Sequence, residues 1–210
     1  MYVPTHYKAD DPAALAAVMQ QHSFALLVTT DNEGVPFATH QPLVYETEGG
    51  PHGRLLGHIA RANPQWQHFA NGKPAMAVFQ GPHAYISPSW YRVRPAVPTW
   101  NYAAVHGYGL PRIIEDAATV RGLLERLTRT YEGGMAKPWT LKEEPENFLA
   151  GMQRAIVAFE IPLDRLEGKL KMSQNRKRED REGAIAALRE QGGAENLATA
   201  DFMARLLAAE

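Results

Sequence analysis

Three polar residues, His58, Arg61 and Asn63, stand where a predicted strand gives way to a predicted short helix that begins at Pro64. Backbone N–H groups converge at a helix N-terminus, and the helix dipole is positive there. An arginine beside them can bind two phosphate oxygens at once. This pattern favours a site for one phosphate group. The alternative is that Asn63 is only a helix cap and Arg61 an ordinary surface residue.

A neighbouring predicted strand contains Thr39, His40 and Pro42. Because proline cannot donate to a strand ladder, the strand must be interrupted at Pro42 or lie at an edge. The break leaves backbone donors and acceptors available to a flat polar ring such as a flavin. Flat apolar walls are offered by four aromatic residues, whose default role is packing in a core or between subunits: Trp90, Tyr91, Trp100 and Tyr102.

The charge distribution points to the same part of the chain. The 210 residues carry a formal net charge of only −1, yet residues 49–114 contain no Asp or Glu and have a net charge of +6. The flanking segments carry −5 in residues 1–48 and −2 in residues 115–210. A basic, aromatic-rich segment favours an anionic, partly flat ligand. The alternative is a basic surface strip that binds nothing in particular.

A second basic run, KLKMSQNRKR, occupies residues 169–178 and overlaps the start of a predicted helix over about 176–190. If Ser173 or Asn175 caps that helix, free N–H groups would lie beside cationic side chains and form a phosphate clamp. The commoner fate of such a run is a solvated helix start, and both interpretations stay open. The last predicted helix, from about Thr199, carries Arg205 as its one basic residue, which argues against a DNA-reading helix. We expect a helical hairpin packed through Phe202 and Leu206 instead.

Several classes of protein are excluded or disfavoured. The absence of cysteine excludes disulfide scaffolds, thiol nucleophiles and cysteine-ligated metals, and it fits a reducing compartment. There is no nucleotide-binding glycine loop, no serine-hydrolase elbow, and no carboxylate near the central histidines that would favour a metal. No segment resembles a secretion signal or a membrane span, so we expect a cytoplasmic protein. Because these motifs are missing, the sequence assigns no catalytic and no metal-binding residue.

Six or seven predicted strands are separated by turn signals, with helices inserted and no regular βαβ alternation. Residues 24–30 and 35–46 should form a hairpin across the turn at Asp31 to Gly34. Asp11, before Pro12, and Asp116 should each cap a helix, and the second helix should end at Gly133-Gly134. Residues 75–81 and 83–87 are expected to be two strands separated at Gly81-Pro82. These elements predict a mainly β fold with added helices. We expect one domain over residues 1–210, built on an antiparallel barrel, with a helical appendage over about 176–210.

The chain also resembles the PaiB-type family of FMN-binding negative transcriptional regulators, within the FMN-binding split-barrel superfamily. Long ordered blocks carry the resemblance, which runs from residue 1 to about 190. The blocks are MYVP (1–4) with His6-Tyr7, THQP (39–42), GHIARANPQW (57–66), FQGPHAYISPSWY (79–91), VPTWNY (97–102) and KMSQNR (171–176). Residues 92–96, RVRPA, match no rule of the family and receive no role.

This resemblance implies a Greek-key split β-barrel that dimerises, with FMN at the homodimer interface. By analogy, the segment from His58 to Asn63 would hold the phosphate and the segment from Thr39 to Pro42 would line the ring, while the partner would supply Trp100 or the turn at Gln80. The implied cofactor-binding residues are Thr39, His40, Pro42, His58, Ile59, Ala60, Arg61, Asn63, Gln80, Trp100, Lys171, Ser173 and Gln174. DNA is a partner only through the family's regulator role.

Two other functions remain open at this stage. One is a flavin-dependent oxidoreductase that uses the same site, although the sequence has no dinucleotide fingerprint. The other is a haem-binding split barrel, with His40, His58 or His83 as the axial ligand. Fold resemblance alone does not choose among these chemistries.

Overall fold

A computed structural model describes residues 1–209 and has the predicted fold class, mainly antiparallel β with added helices. The strands are β1 (Lys8–Ala9), β2 (Phe24–Thr30), β3 (Pro36–Pro42), β4 (Val44–Glu46), β5 (Arg54–Ala60), β6 (Ala75–Ile86), β7 (Thr99–Gly109), β8 (Arg112–Ile114), β9 (Ile156–Pro162) and β10 (Arg165–Lys171). The α-helices are α1 (Pro12–Gln21), α2 (Ala117–Glu132), α3 (Glu146–Arg154), α4 (Arg178–Gln191) and α5 (Ala194–Ala208). Short 3-10 helices occupy Thr5–Tyr7, Pro64–Asn71, Pro88–Trp90 and Leu141–Glu143.

The chain divides into two compact units. The first unit comprises residues Met1–His22, Phe79–His106 and the chain from Glu167 onward. The second unit comprises Ser23–Val78 and Gly107–Leu166. Strands β6 and β7 contribute residues to both. Over residues 1–209, no helix combines the length and the apolar character that crossing a membrane requires.

In the first unit the strand order is β1-β10-β7-β6, with β1 antiparallel to β10. Asp11 caps α1 by accepting the N–H groups of Ala13 and Ala14, as the Asp-Pro signal predicts. The predicted helical hairpin is present as α4 and α5. Helix α5 begins at Ala194, five residues earlier than expected.

The predicted packing face of the last helix is wrong. Phe202 and Leu206 are only partly buried, whereas the neighbouring stripe is fully buried. That stripe consists of Thr199, Ala200, Met203 and Leu207. Phe202 and Leu206 therefore lie beside the buried stripe and not at its centre.

In the second unit the predicted hairpin is present, with β2 and β3 antiparallel and Leu26 opposite His40. The returning strand is shorter than expected, because β3 ends at Pro42 and Val44–Glu46 forms the separate strand β4, which pairs with β5. Strand β3 is the edge strand of the order β6-β2-β3, which explains why Pro36 and Pro42 are tolerated at its ends. A second sheet has the order β4-β5-β9-β8. One face of this sheet is covered by the apolar stripe of α2, which contains Val120, Leu123 and Leu127.

The expected break at Gly81-Pro82 is wrong, because β6 continues from Ala75 to Ile86. Strand β2 pairs only with residues 76–78 of β6, so the missing N–H of Pro82 removes no bond to β2. A Cβ on Gly81 would stand 2.9 Å from the Cβ of Ala103 on β7. Glycine here allows a close approach between strands, and it does not end the strand.

Candidate functional site

The corner between β5 and the 3-10 helix at Pro64 brings predicted site residues together. Asn63 donates from Nδ2 to the Thr39 hydroxyl at 3.0 Å, and its Oδ1 accepts the N–H of Gln65 at 3.0 Å. Asn63 is therefore a helix cap, as its residue type predicts, and also the link between this corner and β3. The segments around Thr39 and Asn63, predicted separately from the sequence, meet in the structure.

Arg61 is held by backbone carbonyls where α3 passes into β9. Its Nε donates to the Arg154 carbonyl and its Nη2 to the Ile156 carbonyl, each at 2.8 Å. The Nη1 group has no partner in the described chain. Backbone N–H groups at this corner are largely used already, since Arg61 N–H bonds to Ala155 and Asn63 N–H to Ala60. The expected cluster of free N–H groups is thus reduced, and the fixed guanidinium is the main anion-binding group here.

The remaining predicted residues of this unit differ in exposure. His40 is exposed on β3 and stacks on Phe24, with ring centroids 6.2 Å apart. Pro42 is half-buried at the end of the ladder, opposite Phe24. On β5, Ile59 is buried and Ala60 is exposed. His40 and Ala60 thus offer accessible surface, whereas Ile59 belongs to the core.

Several buried polar atoms in this region lack a hydrogen-bond partner. They are His58 Nδ1, both amide atoms of Gln41, and Gln65 Oε1. Gln41 is 4% exposed and Gln65 is fully buried, with Gln65 Nε2 donating to the carbonyls of Leu27 and Phe37. The sequence prediction assigned no role to either glutamine. A glutamine between His40 and Pro42, inside an interrupted strand, was the available signal for Gln41.

Burial lowers the pKa of His58, because the protonated ring would lose its hydration. His58 is therefore protonated at a lower pH in the folded protein than in the unfolded chain, where its pKa is near 6.5. We expect the free energy of unfolding to fall as pH drops from 6.5 toward the lower pKa of the folded state, by at most about 1.4 kcal/mol per pH unit for one histidine.

Urea unfolding at several values between pH 7.5 and 5 measures this dependence. His58→Gln should reduce the loss of stability at low pH. Part of the loss should remain, because burial also lowers the pKa of His22. His52→Gln, at an exposed position, is the matched control. An identical pH dependence in wild type and His58→Gln would contradict the prediction.

In the first unit, Gln80 and Trp100 belong to an exposed polar and aromatic group. Gln80 Nε2 lies 3.3 Å from His83 Nδ1, and the His83 and Trp100 rings are 6.4 Å apart. Trp100 is 54% exposed and contacts Tyr85 edge to face. His83 Nδ1 also lies 3.5 Å from the Glu195 carboxylate. This group offers a flat surface to a planar ligand or to another chain.

Three predicted residues of the basic run are occupied by protein contacts. Lys171 donates to the Thr99 hydroxyl and the Trp100 carbonyl, and burial, followed by repulsion from Lys169, lowers its pKa. Ser173 is buried and bonds to Asn101. Both ends of the Gln174 amide bond within its own turn, to Met172 N–H and the Leu170 carbonyl.

The predicted capping of α4 by Ser173 or Asn175 is wrong. Lys177 occupies the cap position, without a side-chain bond to the helix. Ser173 has a left-handed backbone, with φ of 64°, which turns its hydroxyl toward Asn101 and away from the helix. Among residues 1–209, no three His, Asp or Glu side chains gather closely enough to hold a metal ion.

The two antiparallel sheets with added helices define a split-barrel fold class. The chain belongs to the family described as "Putative FMN-binding domain", whose sequence pattern matches residues 1–165. This membership confirms the resemblance to the PaiB type and the prediction of FMN as the cofactor.

Three similar proteins illustrate the relationship. Protease synthase and sporulation protein PAI 2 of Bacillus subtilis is 37% identical over 188 residues, which cover 90% of this chain and 89% of that protein. The FAD and heme binding protein from Mycobacterium smegmatis has a TM-score of 0.57 at 20% identity, over 90% of this chain and 81% of its own. A conserved hypothetical protein from Mycobacterium tuberculosis has a TM-score of 0.62 at 12% identity, over 84% and 94%. The two structures confirm the predicted fold class.

Proposed function

We propose that this protein binds FMN at a homodimer interface and acts as a PaiB-like regulatory flavoprotein. FMN supplies a redox-active isoalloxazine ring when it is bound. The proposed contacts in the second unit are Thr39, His40, Pro42, His58, Ile59, Ala60, Arg61 and Asn63. Those proposed in the first unit are Gln80, Trp100, Lys171, Ser173 and Gln174, with Gln80 and Trp100 coming from the partner protomer.

The unsatisfied polar atoms of Gln41, His58 and Gln65 carry the proposal. Leaving a buried polar group without a partner costs about 1–3 kcal/mol, and native proteins contain few such groups. Here they lie on β3, β5 and the following 3-10 helix, the elements that hold the predicted contacts. A polar cofactor at this corner would explain why these side chains are retained.

Charge supports the same location. Residues 49–114 contain no acidic side chain, and Arg61 is exposed without an acidic partner. Because two carbonyls already fix the guanidinium, binding a phosphate through Nη1 would cost little additional side-chain entropy.

Arg61→Ala should weaken FMN binding by about 1.5–3 kcal/mol, or roughly 10-fold to 150-fold in Kd, because a charged hydrogen bond to phosphate is lost. Quenching of flavin fluorescence on titration measures Kd. Arg61→Lys keeps the positive charge without the planar guanidinium, and its Kd for FMN should lie between those of wild type and Arg61→Ala. Arg112→Ala removes an exposed arginine of β8 and is the matched control. An unchanged Kd for Arg61→Ala would move the phosphate toward Lys171 and Arg176.

The absorption spectrum of the purified protein tests the function itself. We expect flavin bands and, for protein freed of cofactor, a rise in Tm when FMN is added, since a ligand at 100 times its Kd contributes about 2.7 kcal/mol. A Soret band would favour the haem-binding alternative. Steady NAD(P)H oxidation would favour the oxidoreductase. Blank spectra and an unchanged Tm would contradict cofactor binding.

Strand β3 supports the homodimer. It is an edge strand, and the apolar side chains on and beside it are exposed, with Phe24 at 68% and Phe37 at 37%. Such an edge is a favourable place for a second copy of the chain to pack. Light scattering after size-exclusion chromatography measures the mass, and a monomer at micromolar concentration would contradict this part of the proposal.

The family resemblance supports the regulatory role, with DNA as a partner. The sequence supports the cytoplasmic location. Helix α5 adds no support for DNA reading, since Arg205 packs over the Phe202 ring, 5.3 Å from its centroid.

A further inference from the structure

A cleft of about 490 Å³ lies in the second unit, formed by β8, β9, α2 and α3 together with Trp66. Its volume falls within the range of sites for small molecules. Trp66 is fixed by its indole N–H, which donates to the Arg61 carbonyl at 3.0 Å. The proposed cofactor contacts do not account for most of this cleft.

The cleft has a predominantly apolar wall. Ile113, Val120 and Ile156 contribute branched side chains, and Ala150 leaves space on α3. Ile113 is 41% exposed on β8, an edge strand of the second sheet. An apolar ligand would remove this surface from water, which favours binding.

Charged groups at the cleft select the polar end of a ligand. Arg61 lies at one end of the cleft, where two carbonyls bind its Nε and Nη2 and its Nη1 is assigned to the FMN phosphate. Arg154 also lines the cleft, and its exposed guanidinium has no ion pair among residues 1–209. Glu115 is the one acidic residue in the lining, so the formal charge there is +1. Guanidinium groups match the planar, bidentate shape of a carboxylate.

We propose that this cleft is a second small-molecule site, which takes an apolar compound carrying a single carboxylate. The Arg154 guanidinium binds the carboxylate, and the apolar part lies between Trp66 and the isoleucines. The site borders the flavin site at Arg61, whose Nη1 is assigned to the FMN phosphate.

The test uses the full-length protein with FMN bound, and 1-anilinonaphthalene-8-sulfonate as a fluorescent probe with one anionic group. Saturable binding at one site is expected, with displacement by decanoate. Decanol should displace the probe at least about tenfold less well, because the interaction with Arg154 is lost. Equal displacement by decanol would overturn the charge selection, and displacement by excess FMN would make the cleft part of the flavin site.

Two variants locate the probe. Ala150→Phe should fill the cleft and weaken probe binding at least about tenfold, while Arg154→Gln should weaken decanoate about 5-fold to 10-fold. Arg129→Gln is the control, since Arg129 lines a different cleft beside Trp139. Flavin absorbance and Tm show whether each variant is folded and loaded, and neither Ala150 nor Arg154 is among the proposed FMN contacts. Unchanged binding in Ala150→Phe, or weaker binding in Arg129→Gln, would overturn the assignment.

Discussion

Replacing Phe159 with alanine is expected to lower the free energy of unfolding by about 3–5 kcal/mol. Phe159 is completely buried on β9, and its ring meets that of Phe69 edge to face at 5.1 Å. On β5, a Cβ at Gly57 would stand 3.0 Å from Phe159 Cζ, so the ring fills the space above the glycine. Alanine would leave a cavity between the second sheet and the 3-10 helix at Pro64. Urea unfolding monitored by circular dichroism measures the change.

Phe148→Ala is the matched control, because Phe148 is 52% exposed on α3. This replacement should lower the free energy of unfolding by well under 1 kcal/mol. The cavity also has a functional consequence. The 3-10 helix carries Gln65 and follows Asn63, so loosening it should weaken FMN binding as well. Similar stability losses in the two variants would contradict the prediction. They would show that neighbouring side chains fill the space left by the Phe159 ring.

Replacing Asp180 with alanine should cost about 2–4 kcal/mol. Asp180 is 1% exposed in the first turn of α4, and its Oδ1 accepts the N–H groups of Arg92 and Val93, at 2.8 and 3.1 Å. Hydrogen bonds to a charged group are worth about 1.5–3 kcal/mol, and alanine leaves both donors unpaired. The neighbouring Gly183 allows close contact, since a Cβ there would stand 2.5 Å from the Trp90 carbonyl oxygen.

Thermal and urea unfolding test this prediction, and amide hydrogen exchange at residues 92–93 reports the lost bonds directly. Asp180→Asn keeps an acceptor oxygen and should cost less than Asp180→Ala. Asp201→Ala removes an exposed carboxylate, 3.0 Å from Arg189, and should cost less than 1 kcal/mol. If Asp180→Ala were as mild as Asp201→Ala, residues 92–93 would be held by other contacts.

Local signals predicted much of the fold. The hairpin of β2 and β3, the Asp11 and Asp116 caps and the end of α2 near Gly133 follow from turn and capping chemistry, which acts over a few residues. The errors involve distant neighbours. The continuity of β6 through Pro82 depends on which strands pair there, and the buried stripe of α5 depends on what packs against it.

The candidate site divides in the same way. Residue types and the uneven charge indicated Thr39, Arg61 and Asn63, and the long ordered blocks indicated the family and FMN. Two features were not predicted: the carbonyls of Arg154 and Ile156 that hold Arg61, and the unsatisfied amide of Gln41. The carbonyl contacts join atoms far apart in the chain, so they leave no short-range pattern. For Gln41 the one local signal was its place between His40 and Pro42, and its burial depends on distant neighbours.

The sequence by itself determined the fold class, the family, the cofactor and a basic segment that favours a phosphate. Composition, turn chemistry and motif order can be recognised along the chain without knowing which distant residues come into contact. Only the tertiary structure decided which of these groups are accessible and which are occupied. Ser173 and Gln174 make internal bonds, whereas Arg61 keeps one amino group available. A side chain's donors are used by whatever the fold brings beside them, and that depends on contacts between residues distant in the chain.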